Sequence, residues 1–183
     1  MIKSNNIISY DMLDLLRECK GRKIETLLQT DQDFETSFEV VILRFHDFDI
    51  EIWSLEQPDK EGGLSDLAKI IIKKNPAKDS PCPVGKYGKN GEILPGNFTQ
   101  KPIGKVISGI TVHNELVRWT NEYGDFLLAN TYAIVISLGT RYLHIVKWPE
   151  WSEDWDISFS QSPVPKKPDY DEDEKVSYSS FEL

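Results

Sequence analysis

The side chains best suited to acid–base, nucleophilic or metal chemistry are scattered. His46, His113 and His144 lie far apart, as do Cys19 and Cys82, so the clustered Cys and His of a zinc site are missing. His46 stands beside Asp47 and Asp49, a grouping that could recruit a metal or serve as a base. A histidine at a hairpin tip is otherwise simply solvated. Gly85-Lys86-Tyr87 and Gly88-Lys89-Asn90 lack the Ser or Thr that completes a phosphate loop. Cys19 falls on an apolar helical stripe and reads as core, and no serine or cysteine context marks a nucleophile. The expectation is a chain with no catalytic residues, cofactor or metal. The alternative is a small enzyme or ligand-binding β module built on His46, Asp47 and Asp49.

Binding chemistry is better represented. Trp148-Pro149-Glu150-Trp151-Ser152-Glu153-Asp154-Trp155-Asp156 packs three tryptophans and four carboxylates into nine residues. As a helix it would gather Trp148, Trp151 and Trp155 on one face. Those rings could be a lid that closes the core. They could also be a docking surface, since tryptophans bury large areas and a carboxylate rim steers basic partners. The candidate partner-binding residues are Trp151, Trp155, Glu150, Glu153 and Asp154. Asp47, Asp49 and Glu51 join them on the wet, acidic face expected of the alternating strand Phe48, Ile50, Ile52.

Charge narrows the partner. Lys plus Arg is 21 and Asp plus Glu is 30, a net charge of −9, which disfavours nucleic acid as a partner of the whole surface. Lys69 to Lys105 runs the other way, with eight lysines against Asp79 and Glu92. That stretch reads as a solvated loop, or as a grip on nucleic acid in an accessory protein. Apolar runs such as Val40 to Leu43 and Ile70 to Ile72 fall far short of the about 20 residues of a membrane span. The N-terminus lacks a secretory pattern. Two lone cysteines then suit a reducing cytosol, so the expected location is cytoplasmic.

The elements that must position these residues are mostly strands. Met12, Leu15, Leu16 and Cys19 recur at helical spacing, with Ser9 as N-cap and Gly21 as stop. Strands are expected over 24–28, 38–43, 48–52, 106–112, 116–119, 126–128, 132–138 and 141–148. A hairpin turn is expected at Gly139-Thr140. A second helix is expected over Leu67 to Lys74, although Ile70-Ile71-Ile72 also suits a strand. Residues 75–102, rich in Pro, Gly and Lys, read as a long loop or insertion. Residues 163–183, with three lysines against six carboxylates, read as a disordered acidic tail.

The chain also echoes itself. Gly21-Arg22-Lys23-Ile24 is similar to Gly104-Lys105-Val106-Ile107, and Phe38 to Ile42 is similar to Tyr132 to Ile136. Each is followed by a turn, a strand and a tryptophan, Trp53 or Trp148. The expected fold is α+β and mainly antiparallel β, one globular domain over 1–162 with one or two peripheral helices. Two similar hairpin-containing halves, 10–74 and 103–160, would be joined by 75–102.

The second half carries a resemblance. Pro102-Ile103-Gly104-Lys105-Val106-Ile107, then Ala133 to Leu138, then His144-Ile145-Val146-Lys147-Trp148 resembles small immunity proteins that bacteria encode beside polymorphic or contact-dependent toxins. The resemblance covers about a quarter of the chain. It implies a non-catalytic cytosolic protein that neutralises one cognate toxin, and it carries over no individual binding residues; the carboxylate-rimmed tryptophans would mask a basic partner, that toxin or another.

Overall fold

The computed structural model describes residues 2–30, 40–55, 69–76, 85–87, 93–95, 98–121, 124–147, 155–170 and 174–183. Along the chain these are β1 (Ile2–Asn6), α1 (Tyr10–Cys19), β2 (Lys23–Thr30), β3 (Val40–Arg44), β4 (Phe48–Leu55), β5 (Lys69–Pro76), β6 (Gly85–Tyr87) and β7 (Ile93–Pro95). There follow β8 (Phe98–Val106), β9 (Gly109–Asn121), β10 (Gly124–Ser137), β11 (Tyr142–Lys147), β12 (Trp155–Ser160) and β13 (Lys175–Glu182). The fold is mainly antiparallel β with one short helix. Ser9 caps that helix by accepting from the Met12 amide, and Gly21 turns the chain out of it at φ 81°.

Two sheets dominate, and their strand orders correspond. One runs β5-β4-β3-β2-β8; the other runs β12-β11-β10-β9-β13, with β1 added parallel to the first half of β10. Each is a four-strand antiparallel meander whose first strand is then flanked by a fifth strand returning from later in the chain. β6 and β7 form a separate small hairpin. Alternation drives the packing. Val41 and Leu43, Ile50 and Ile52, Ile70 and Ile72 from the first sheet meet Ile110 and Val112, Ile134 and Ile136, Leu143 and Ile145 from the second. Leu13, Leu16 and Cys19 of α1 and Trp155 of β12 join the same core. Each fully buried large aliphatic contributes about 1.5–3 kcal/mol relative to exposure, so this shared core holds the two sheets together. The two glycine-basic segments, similar in sequence, hydrogen-bond to each other: Gly21 N–H donates to the Ile107 carbonyl at 2.9 Å, and Ile107 N–H to the Arg22 carbonyl at 2.8 Å. Gly21 leads into β2, whereas Gly104 lies inside β8.

Several expectations change. The helix expected over Leu67 to Lys74 is strand β5 from Lys69 onward; Leu67 and Ala68 lie outside the described residues. Ile70 and Ile72 point into the core while Lys73 is exposed, an alternation that β-branched residues favour. The stretch 75–102 is not all loop, because Phe98 to Pro102 extend β8 along β2. The strands expected over 116–119 and 106–112, and over 126–128 and 132–138, merge largely into the long β9 and β10. A bulge at Thr131/Ala133 lets β10 stay paired with β9. The tail is not disordered: Lys175–Glu182 pairs with β9, from Lys175↔Arg118 to Glu182↔Thr111. Val176 and Tyr178 supply the period-2 apolar face that its charge obscured.

Candidate functional site

Of the acidic residues expected to form a wet face, Asp47 is exposed and pairs with Arg22 at 3.3 Å. Asp49 and Glu51 are buried, which corrects that expectation. They lie on the side of β4 away from the main core, where Leu28, Val40 and Ile42 are also buried and Trp53 packs. Arg44 grips Asp49 with two hydrogen bonds, at 3.0 Å and 2.8 Å, and Trp53 Nε1–H donates to Glu51 at 3.1 Å. Trp155 does not sit on a helix. It opens β12, pairs with Lys147 and is buried in the core, as the lid reading expects of it. Trp151, Glu150, Glu153 and Asp154 lie outside the described residues. His46 is exposed in the β3–β4 turn, 3.8 Å from a Glu25 carboxylate oxygen, while Asp49 is committed to Arg44. Among the described residues no group of three or more His, Cys, Asp or Glu is placed to hold a metal.

Apart from Cys19 in the core, the titratable groups with displaced pKa values gather on the face of the second sheet turned away from the core. His113, Glu115 and Asn130 lie on adjacent β9 and β10 beside Tyr132, and Tyr178 of β13 stacks edge-on to Tyr132 at 5.6 Å. Burial pushes the Glu115 carboxyl up, against the opposing pull of the Tyr170 hydroxyl, the Asn130 amide (2.9 Å) and the Lys147 charge. Burial lowers His113, helped by His144, and raises Tyr132 to about 12. The segment 161–170 runs beside these groups. His144 Nε2–H donates to the Ser162 carbonyl at 2.8 Å, Lys167 sits over the Tyr178 ring at 4.3 Å, and Tyr170 packs with Val117 and Leu128. Glu115, Asn130 and Tyr132 are buried, so they serve as an internal polar network rather than as groups open to a substrate.

An open groove of about 370 Å³ lies elsewhere, lined by Lys101, Pro102, Ile103 and Lys105 of β8, Leu138, Thr140 and Arg141 of the β10–β11 turn, and Phe159 of β12. β8 and β12 are terminal strands of their sheets. Cross-strand partners share a face. Lys101 opposes Leu27, Lys105 opposes Ile24, and Phe159 opposes Leu143, and all three opposing residues point into the core. The lining residues therefore emerge at the mouth of the sandwich. Gly104 makes this possible: at φ 62° it accommodates a bulge in which Pro102 to Lys105 spans only Thr26 to Ile24. Lys101 lies over the Phe159 ring at 4.2 Å. Among the described residues Lys105 and Arg141 have no ion-pair partner. Among the described residues no carboxylate lines the groove.

The groove residues were partly legible. Lys101 and Lys105 belong to the basic stretch, and Lys101-Pro102-Ile103-Gly104-Lys105 spaces cation, apolar, cation two apart. Arg141 after Gly139-Thr140 gave no such signal, because only the hairpin brings it to β8. No family model, curated protein or solved structure matches the chain.

Proposed function

We propose that the chain is a non-catalytic protein-binding module, of the immunity type that masks a cognate toxin. One observation carries the reading. Glu115 and Tyr132 are buried, while the open groove offers exposed cations, apolar walls and a hydroxyl. That inventory suits recognition by complementary charge and shape. The sequence resemblance of Pro102–Ile107, Ala133–Leu138 and His144–Trp148 to toxin-immunity proteins supports a toxin as the partner. A basic partner surface finds little purchase on the described acidic cluster, since Asp49 and Glu51 are internal; an acidic surface finds the groove. The test is capture by the tagged chain from nuclease-treated lysate of the native source, read by mass spectrometry. The reading expects one stoichiometric protein surviving moderate salt. No partner, from a lysate shown to express the neighbouring genes, overturns it.

A further inference from the structure

The order of groups in the groove points to its occupant. Lys101, Ile103 and Lys105 line the groove in the order cation, apolar group, cation, and the Gly104 bulge brings Lys105 opposite Ile24 as Lys101 lies opposite Leu27. An extended chain presents alternate side chains to one face, so it can offer charged, apolar and charged groups in that same order. Leu138 and Phe159 widen the apolar centre, and Arg141 adds a guanidinium fork suited to a carboxylate.

We propose that the groove binds an extended acidic segment of the partner, with carboxylates two positions either side of an apolar residue. The carboxylates meet Lys101 and Lys105, one of them shared with Arg141, and the apolar side chain rests on Ile103, Leu138 and Phe159. This deepens the protein-binding reading and rests on it. The edge position adds selectivity. Lysines and a proline on a terminal strand discourage pairing with arbitrary strands, and an acidic strand neutralises that guard. Nucleic acid is the poorer fit. The −9 chain repels a polyphosphate backbone.

The experiment titrates the ¹⁵N-labelled full chain with the synthetic peptide acetyl-Ser-Glu-Ser-Leu-Ser-Glu-Ser-amide, alongside a peptide with lysine for both glutamates and a single-stranded oligothymidylate. Saturable shifts of the Lys101, Ile103, Lys105 and Arg141 amides with the acidic peptide alone are expected. The exposed double variant Lys105→Glu/Arg141→Glu, its fold checked in the same spectra, should bind at least about tenfold more weakly. Shifts elsewhere, no saturable shift, equal binding of the lysine peptide, or displacement by the oligonucleotide overturns the proposal. If the variant captures the lysate partner as well as wild type does, the groove assignment fails while the protein-binding reading stands. If wild type captures no partner although the peptide binds, it is the reading that fails.

Discussion

Arg44→Met should be far more damaging than the loss of a surface ion pair. Arg44 and Asp49 face each other on β3 and β4, joined by two hydrogen bonds, with side chains only 16% and 4% exposed. Removing the guanidinium leaves a carboxylate in a site that Ile42 and Val40 share. Breaking such a pair from one side costs about 3–5 kcal/mol, and the exposed edge of Arg44 places this case near about 3. That is a large fraction of the about 5–15 kcal/mol that holds a domain together. The double change Arg44→Met/Asp49→Leu removes both charges and should return to within about 1 kcal/mol of wild type. Urea unfolding followed by tryptophan fluorescence reads both, provided the slope stays constant. A single change costing under about 1 kcal/mol, the range of exposed pairs, would refute the burial of Asp49 and restore it to an accessible acidic face.

Other outcomes follow from the same structure. Deleting 163–183 removes β13 and Tyr170, uncovering Val117 and Leu128; at about 1.5–3 kcal/mol per buried large side chain, thermal unfolding should shift down sharply, whereas a disordered tail would leave it unmoved. Cys19, buried and raised to about 12, should resist iodoacetamide in the native state and react once urea is added, followed at its own peptide by mass spectrometry. His113 is lowered by burial, so its contribution is complete above the unfolded value of 6.5 and is lost as pH falls below it. Glu115 is raised by burial, so its contribution is complete below its unfolded 4.5 and is lost as pH rises from there through the folded value. His113→Phe should flatten the first slope and Glu115→Gln the second in denaturation across pH.

Local pattern was legible where one face of an element is buried and the other wet. The Ser9 cap, the α1 stripe, the alternation of β4 and the Gly139 turn, at φ 82°, all carry their geometry in a few neighbouring residues. The tail and Leu67 to Lys74 were harder for opposite reasons. In the tail, high charge hides the alternation of Val176 and Tyr178, whose partners on β9 are about 60 residues away in sequence. In the other, three consecutive isoleucines satisfy both periods, and only pairing with β4 decides. The acidic face failed because alternation gives a strand two faces without saying whether the second is also covered; Arg44, opposite Asp49, was the clue. The groove needed two sheets to exist at all, since β8 and β12 lie at the ends of different meanders.

If an acidic protein partner is recognised through the groove between β8 and β12, capture depends on the groove cations and not on Asp47. The direct measurement is capture of the lysate partner by three folded chains in parallel: wild type, Lys105→Glu/Arg141→Glu, and Asp47→Lys. The partner should be retained by wild type and Asp47→Lys and lost by the groove variant. Retention by the groove variant, with loss by Asp47→Lys, would contradict it and place recognition on the acidic side of the molecule.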